Sequence, residues 1–312
     1  MAQEAVQMNL RLLIRATRAP FFTATLVPVL LGSALAWRDG SFHFGYFLLL
    51  FVGAIAFHAA TDVINDYGDH KSGADDRNQE LTPFSGGSRM IQEGILSAGE
   101  TLRLALICYA IGIVIGLYLV AVRGLPVLWI GLIGFALSAL YTVPKFGLSY
   151  LGHGLGELAV GLGFGPVMVG GTYFVLAQRF TPAMWYASLP VGLLITAVLY
   201  INQFPDYAAD KAAGKQTLIV KLGRQSAVPG YVALMLGTYV AVAVGVLLDL
   251  LPWPTLVAFL TLPLAVRGIQ GLRQFYDQTP QLIPSNAITI QVHLTTGLLL
   301  VVAVVADGLL PH

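Results

Sequence analysis

Nine apolar runs, each near the roughly 20 residues that a helix needs to cross a bilayer, divide this chain. They are Pro20–Trp37, Phe44–Val63, Thr101–Val122, Leu125–Tyr141, Leu155–Ala177, Met184–Ile201, Val228–Leu248, Trp253–Ile269 and Ile288–Val305. Backbone polar groups in lipid have to be satisfied within the chain, which makes such runs helices. The expected fold is therefore all-α, an integral membrane bundle of about nine transmembrane helices in a single domain over residues 1–312. Composition agrees: 11% of the residues are charged, against about 25% in a soluble domain. The fifth run is rich in glycine, including Gly161, Gly163, Gly165, Gly170 and Gly171, which favours close packing or an irregular helix.

Charge orients the chain. With the N-terminus inside, fourteen of the seventeen Lys and Arg residues fall on one side, and only Arg38, Arg123 and Arg179 on the other. Cytoplasmic loops carry the excess of Lys and Arg, so the protein is expected to be multi-pass in the cell (inner) membrane. The first apolar run reads as a retained helix, since Met1 to Arg18 hold three arginines but no separate apolar core. A net charge of +1 gives no electrostatic case for nucleic acid. The single cysteine, Cys108, allows no internal disulfide.

Two connections are long and polar, Ile64–Glu100 and Asn202–Ser226, and both lie on the positive side. Asp62, Asn65, Asp66 and Asp69 stand where the second run passes into the first connection; if the helix continues, Asp62, Asp66 and Asp69 share one face. The second opens with Asn202, Asp206 and Asp210, where Pro205 argues against a regular helix. The spacing Asn-x-x-x-Asp occurs in both, four spans apart, which suggests a weak repeat of helices 1–4 in helices 5–8.

Like charges at helical spacing repel unless a cation sits between them. Mg²⁺ takes one or two carboxylates and completes its octahedron with water and phosphate oxygens. Two acidic clusters facing each other across a cavity suit a diphosphate bridged by Mg²⁺. Arg89, Lys145, Lys211 and Lys215 stand nearby, and the Gly86-Gly87 turn offers backbone N–H groups to an anion. A lone Asp or Lys is ordinarily a solvated loop charge; two clusters of repeated spacing on one side of a membrane protein outweigh that reading.

At these residues the chain resembles the UbiA superfamily of intramembrane prenyltransferases. Asn65, Asp66 and Asp69 look like its first motif, with Asp75 as the further acid, and Asp206 and Asp210 look like its second. The stretch Gly214–Gly223 and the pair Tyr141 and Lys145 are similar too. Gly73 stands where the commonest first motif has its last Asp, which here comes at Asp75. That spacing, and Arg89 before Gly94, resemble the branch that prenylates 1,4-dihydroxy-2-naphthoate for menaquinone.

The resemblance implies a central cavity, with polyprenyl diphosphate and an aromatic acceptor as partners in the lipid membrane and Mg²⁺ as cofactor. It implies that Asp66, Asp69, Asp206 and Asp210 hold the metal, helped by Asn65 and Asn202, and that Lys145, Lys215, Lys211 and Arg89 meet the diphosphate. Tyr141 and Tyr67 offer ring faces to a carbocation. Glu157 is either an acceptor contact or base, or an acid at a helix N-terminus, and His153 beside it shares that ambiguity. His293 and Gln291 read as interhelical hydrogen-bonders, and His70 as solvated. Acceptors such as 4-hydroxybenzoate, homogentisate, a tetrapyrrole or a glycerol phosphate lipid fit the same motifs. A transporter is the rival from another class, but its acids would sit at mid-membrane rather than at helix ends.

Overall fold

The structure is a computed structural model and describes residues 10–141 and 143–310. In chain order, α1 (Leu10–Ala16) and a 3₁₀ turn (Ala19–Phe22) precede α2 (Thr23–Arg38), α3 (Phe44–Ser72), α4 (Ala74–Arg77), α5 (Ala98–Arg123) and α6 (Leu125–Ala139). Then come α7 (Leu148–Leu151), α8 (Leu155–Leu162), α9 (Met168–Ala177), α10 (Pro182–Ala213), α11 (Leu218–Leu222), α12 (Arg224–Leu247), α13 (Leu262–Phe275) and α14 (Thr279–Leu309). Eight helical stretches among the described residues are long and apolar enough to cross a membrane, and the shorter α6 stands where a ninth was expected. The outer surface matches: Val114, Leu117, Trp129, Leu247 and Leu260 are exposed, and lipid tails are as apolar as these side chains.

Since lipid gives helices little hydrophobic reason to associate, close packing and interhelical hydrogen bonds hold them together. One buried cluster joins α2, α9, α10 and α14 through Val27, Leu31, Tyr173, Val191 and Leu300. Another joins α10, α12, α13 and α14 through Tyr200, Phe204, Tyr231, Leu272 and Val292. Tyr231 and Thr289 are hydrogen-bonded at 2.6 Å, and Thr261 and Thr296 at 2.7 Å. The glycine-rich fifth run is irregular, as expected. Between α8 and α9 it winds as a π-helix over Gly163–Val167, with Pro166 inside. A Cβ on Gly165 would come 3.0 Å from the Cα of Gly192, so α10 crosses there nearly backbone to backbone.

Two expected loops are partly helix. α3 runs on to Ser72 and α10 to Ala213, carrying both acidic motifs on helical turns. Contrary to the sequence reading, Pro205 lies inside α10. A proline has no N–H to give the carbonyl four residues back, here that of Ile201. Asn286 of α14 donates its side-chain amide to Ile201 O at 3.3 Å and to Asn202 Oδ1 at 2.8 Å. A partner from another helix thus satisfies the freed carbonyl, the usual way in which a membrane helix tolerates proline.

Candidate active site

The two acidic helices end alike. Gly73 after α3 and Gly214 after α10 adopt φ of 74° and 82°, a left-handed conformation open to glycine without a Cβ penalty. Each turn throws the chain back over its own helix end. After Gly73, the single turn α4 brings Asp75 inward. After Gly214, the Lys215 N–H donates to Asp210 O at 3.0 Å, and its side chain turns into the bundle, 8% exposed.

Lys215 then ties the two motifs together. Its Nζ lies 2.9 Å from Asp69 Oδ1 and 3.1 Å from Asp210 Oδ1. Burial opposes the charged form of Lys215, but the Asp210 and Asp69 carboxylates outweigh it and hold its pKa well above the usual lysine value. Asn78 adds a second tie, donating to Asp206 Oδ1 at 2.7 Å. Arg77 donates to Ala212 O at 3.3 Å, while Glu80 accepts from Arg224 at 3.0 Å and from the Thr279 hydroxyl. The connection after α3 is therefore fastened across the end of the bundle to α10, α12 and α14.

Beneath this rim lies a cavity of about 440 Å³. Asp62, Asp69, Asp75, Asp206, Asp210, Asn65 and Asn202 line it, with Arg18 and Lys215. Deeper walls are apolar: Phe57, Ile115, Leu119, Phe135, Phe164 and Met168. Five carboxylates against two cations leave the rim negative. Burial and the neighbouring Asp69 and Asp66 push the Asp75 pKa up to about 8. Around Arg18, burial is outweighed by Asp62, Asp66, Asp206 and Asp75, which hold it charged.

These residues suit Mg²⁺ in their chemistry. Among the described residues Asp62 Oδ2 and Asp66 Oδ1 are buried without a hydrogen-bond partner, and a buried polar oxygen left unpaired is costly. Among the described residues no three Asp, Glu, His or Cys side chains form a ready cage. Mg²⁺ does not need one, since water and substrate phosphate supply its remaining ligands.

The expected site residues divide. Asp69, Asp206, Asp210, Asn65, Asn202, Asp75, Lys215 and Tyr141 come together on the cavity wall. Asp66 is turned toward the loop before Met90, where its Oδ2 accepts the Ser88 N–H at 3.0 Å. The backbone of Gly87 fills the space between Asp66 and Asp75, since a Cβ on it would come 2.8 Å from Asp75 Oδ2 and 3.0 Å from Asp66 Oδ1. The Asp66 and Asp75 carboxylates of this chain thus crowd the glycine turn.

Four expected substrate contacts stand elsewhere. Arg89 donates to Asp75 O at 2.7 Å and so braces the loop. Lys145 is exposed, in a turn with φ of 70° that carries it outside the cavity lining. Lys211 is exposed and lies over the Tyr207 ring. Glu157 is 3% exposed and accepts the Leu218 N–H at 2.9 Å, at the start of α11. It anchors the segment after Lys215 and is not on the cavity wall. Tyr67 faces Lys71 rather than the cavity. His153 is exposed, and His70 lies 3.7 Å from Asp76. Gln291 is exposed, and His293, expected to bond another helix, is buried with neither ring nitrogen hydrogen-bonded among the described residues. The sequence reading gave no role to Asn78, Glu80, Gln203 or Asn286. Asn286 carried a signal, being the one amide side chain in Ser285–Ile290, at the head of the last apolar run.

The profile of the UbiA prenyltransferase family matches residues 25–287. The 2-carboxy-1,4-naphthoquinone phytyltransferase of Synechocystis is 31% identical over 93% of this chain and 92% of its own length. The 1,4-dihydroxy-2-naphthoate octaprenyltransferase of Bacillus subtilis is 30% identical over 85% of this chain and 83% of its own. That of Escherichia coli is 30% identical over 88% and 89%. The fold superposes on a UbiA homologue from Archaeoglobus fulgidus bound to DMAPP and Mg²⁺, with a TM-score of 0.64 and 14% identity over 94% of this chain and 99% of that one. A UbiA homologue from Aeropyrum pernix gives a TM-score of 0.67 at 16% identity over 91% and 97%. The chain belongs to the UbiA prenyltransferase family, as a multi-pass membrane enzyme of prenyl transfer.

Proposed function

We propose that this enzyme transfers a polyprenyl group from its diphosphate to 1,4-dihydroxy-2-naphthoate, with loss of the carboxylate as CO₂, in menaquinone biosynthesis. The observation that carries the reading is the pairing of Lys215 with both acidic helix ends at the polar end of an apolar cavity. An allylic diphosphate has that same division, a highly charged head on a hydrocarbon tail. The acceptor rests on the names of the bacterial relatives and on the Asn65-to-Asp75 spacing.

Asp69, Asp206 and Asp210, with Asp62, Asp66, Asn65 and Asn202 beside them, would hold Mg²⁺. When bound, the metal neutralises charge developing on the departing diphosphate. Lys215 and Arg18 add fixed positive charge at the same rim, already in place before the C–O bond breaks. The bond breaks heterolytically, and diphosphate takes the electron pair. Apolar walls keep water from the allylic cation, which water would trap as the alcohol. Phe57, Phe135 and Tyr141 line the space where a cation can meet ring faces. The electron-rich naphthol ring forms the new C–C bond, and its carboxylate is drawn to Arg18 before leaving as CO₂. Acid clusters at helix ends on the Lys- and Arg-rich side support an active site facing the cytoplasm.

The test supplies purified enzyme with Mg²⁺, one polyprenyl diphosphate and equal amounts of 1,4-dihydroxy-2-naphthoate, 4-hydroxybenzoate and homogentisate. A demethylmenaquinone-type product formed with CO₂ is expected. Preference for 4-hydroxybenzoate would remove the acceptor assignment and leave prenyl transfer standing.

A further inference from the structure

A polar atom buried in a membrane protein ordinarily finds a hydrogen-bond partner, because apolar walls offer none. Two side chains on the wall made by α10 and α14 depart from this. Gln203 is 5% exposed and its Oε1 has no hydrogen-bond partner among the described residues. His293 is 2% exposed and neither of its ring nitrogens has one. Both residues line the cavity, and neither belongs to the acidic rim.

They stand at two depths. Asn286 bonds Asn202, which places Gln203 level with Asn286 and just below Asp206. His293 lies seven residues further along α14, so its backbone is about 10 Å deeper at 1.5 Å per residue. Ile290 lies between, packed with Ile195 and Val198 of α10. A prenyl tail carries no polar atom and leaves these groups as they are. A hydroxylated ring carries what they lack. A phenolic O–H donates, an amide oxygen accepts, and a neutral imidazole accepts through its unprotonated nitrogen. The two hydroxyls of a para-dihydroxy ring point in opposite directions. With an O–H···acceptor bond of about 2.8 Å at each end, such a ring bridges a gap on the order of 10 Å.

We propose that Gln203 and His293 form the subsite that receives the ring hydroxyls of the aromatic acceptor, an inference that rests on the function proposed above. With the carboxylate drawn to Arg18 at the rim, the neighbouring 1-hydroxyl meets Gln203. The 4-hydroxyl, on the far side of the ring, reaches down to His293. The pair thereby holds the ring flat against α10 and α14 and selects for a second hydroxyl opposite the first, since a site built to bond a hydroxyl discriminates against the analogue that lacks it.

The test compares wild type with His293→Leu, His293→Asn and Gln203→Leu in detergent under anaerobic conditions. It measures equilibrium binding of 1,4-dihydroxy-2-naphthoate and of 1-hydroxy-2-naphthoate, together with KM for acceptor and donor. Wild type should bind the dihydroxy ring about tenfold more tightly than the monohydroxy ring. His293→Leu should bring the two affinities within about twofold and raise acceptor KM about tenfold, with donor KM within about twofold of wild type. His293→Asn, which keeps an acceptor atom, should recover part of the loss. If His293→Leu does not fold, His293→Asn and Gln203→Leu carry the same comparison. Variants that keep both the acceptor KM and the wild-type preference overturn the subsite alone. A wild-type enzyme that prenylates no hydroxylated ring overturns the proposed function, and the subsite with it.

Discussion

Lys215 Nζ stands 2.9 Å from Asp69 Oδ1, joining residues 146 positions apart in the chain. The contact closes the rim of the cavity, because Asp69 ends one acidic helix and Lys215 follows the other. Breaking a buried pair by removing one partner costs about 3–5 kcal/mol, since the other charge is left uncompensated. Lys215→Ala should therefore lower the thermal midpoint of the purified protein and raise donor KM about tenfold or more. Added Mg²⁺ should raise the midpoint of the variant more than that of wild type. Unchanged midpoint and donor KM would show that the pair is dispensable.

Asp69 and Asp206 face the same cavity from different helices. Asp69→Asn and Asp206→Asn keep shape and remove charge. Each should lower kcat by about 10²-fold or more at saturating Mg²⁺. Helical content by circular dichroism should be unchanged. Near wild-type turnover in both would eliminate the metal assignment.

Lys145 makes a contrasting case. It is exposed and lies outside the cavity lining, where a charge in high dielectric contributes little. Lys145→Ala should change donor KM by less than about twofold. A loss as large as that of Lys215→Ala would mean that its turn folds inward when substrate binds.

Asn286 holds α10 together at Pro205. Asn286→Ala leaves Ile201 O without that donor and Asn202 without its amide partner. A buried group that loses its partner costs about 1–3 kcal/mol. A fall in thermal midpoint, larger than that of an alanine substitution at exposed Gln291, is the expected outcome. Equal midpoints would mean that the carbonyl is satisfied in another way.

Membrane orientation can be read by labelling. Lys71 and Ala212 are exposed beside the two motifs. Lys71→Cys and Ala212→Cys, each in a Cys108→Ala background, should react with an impermeant thiol reagent only from the cytoplasmic side. Reaction from outside the cell would invert the proposed topology.

The spans and the acidic motifs were legible in the sequence because each is a local property. Length and hydropathy define a membrane helix without reference to its neighbours. The spacing of Asp62, Asp66 and Asp69 already puts them on one helical face, from which Asp66 turns to the Ser88 N–H. The glycine-rich run announced the irregular helix around Gly163–Val167 for the same reason. What these residues meet is not local. Lys145 and Lys215 look alike in sequence, both basic and both in connections on the positive side; the turn at Gly214 sends Lys215 in, and the turn at Lys145 leaves that side chain out. Pro205 reads as a helix breaker until Asn286, more than eighty positions later, supplies the missing donor. His293 reads as an interhelical bonder, and only the packing around it removes every partner and leaves its ring on the cavity wall. Tertiary structure alone decided burial, pairing and the absence of a pair, because each depends on which distant helices come to lie side by side.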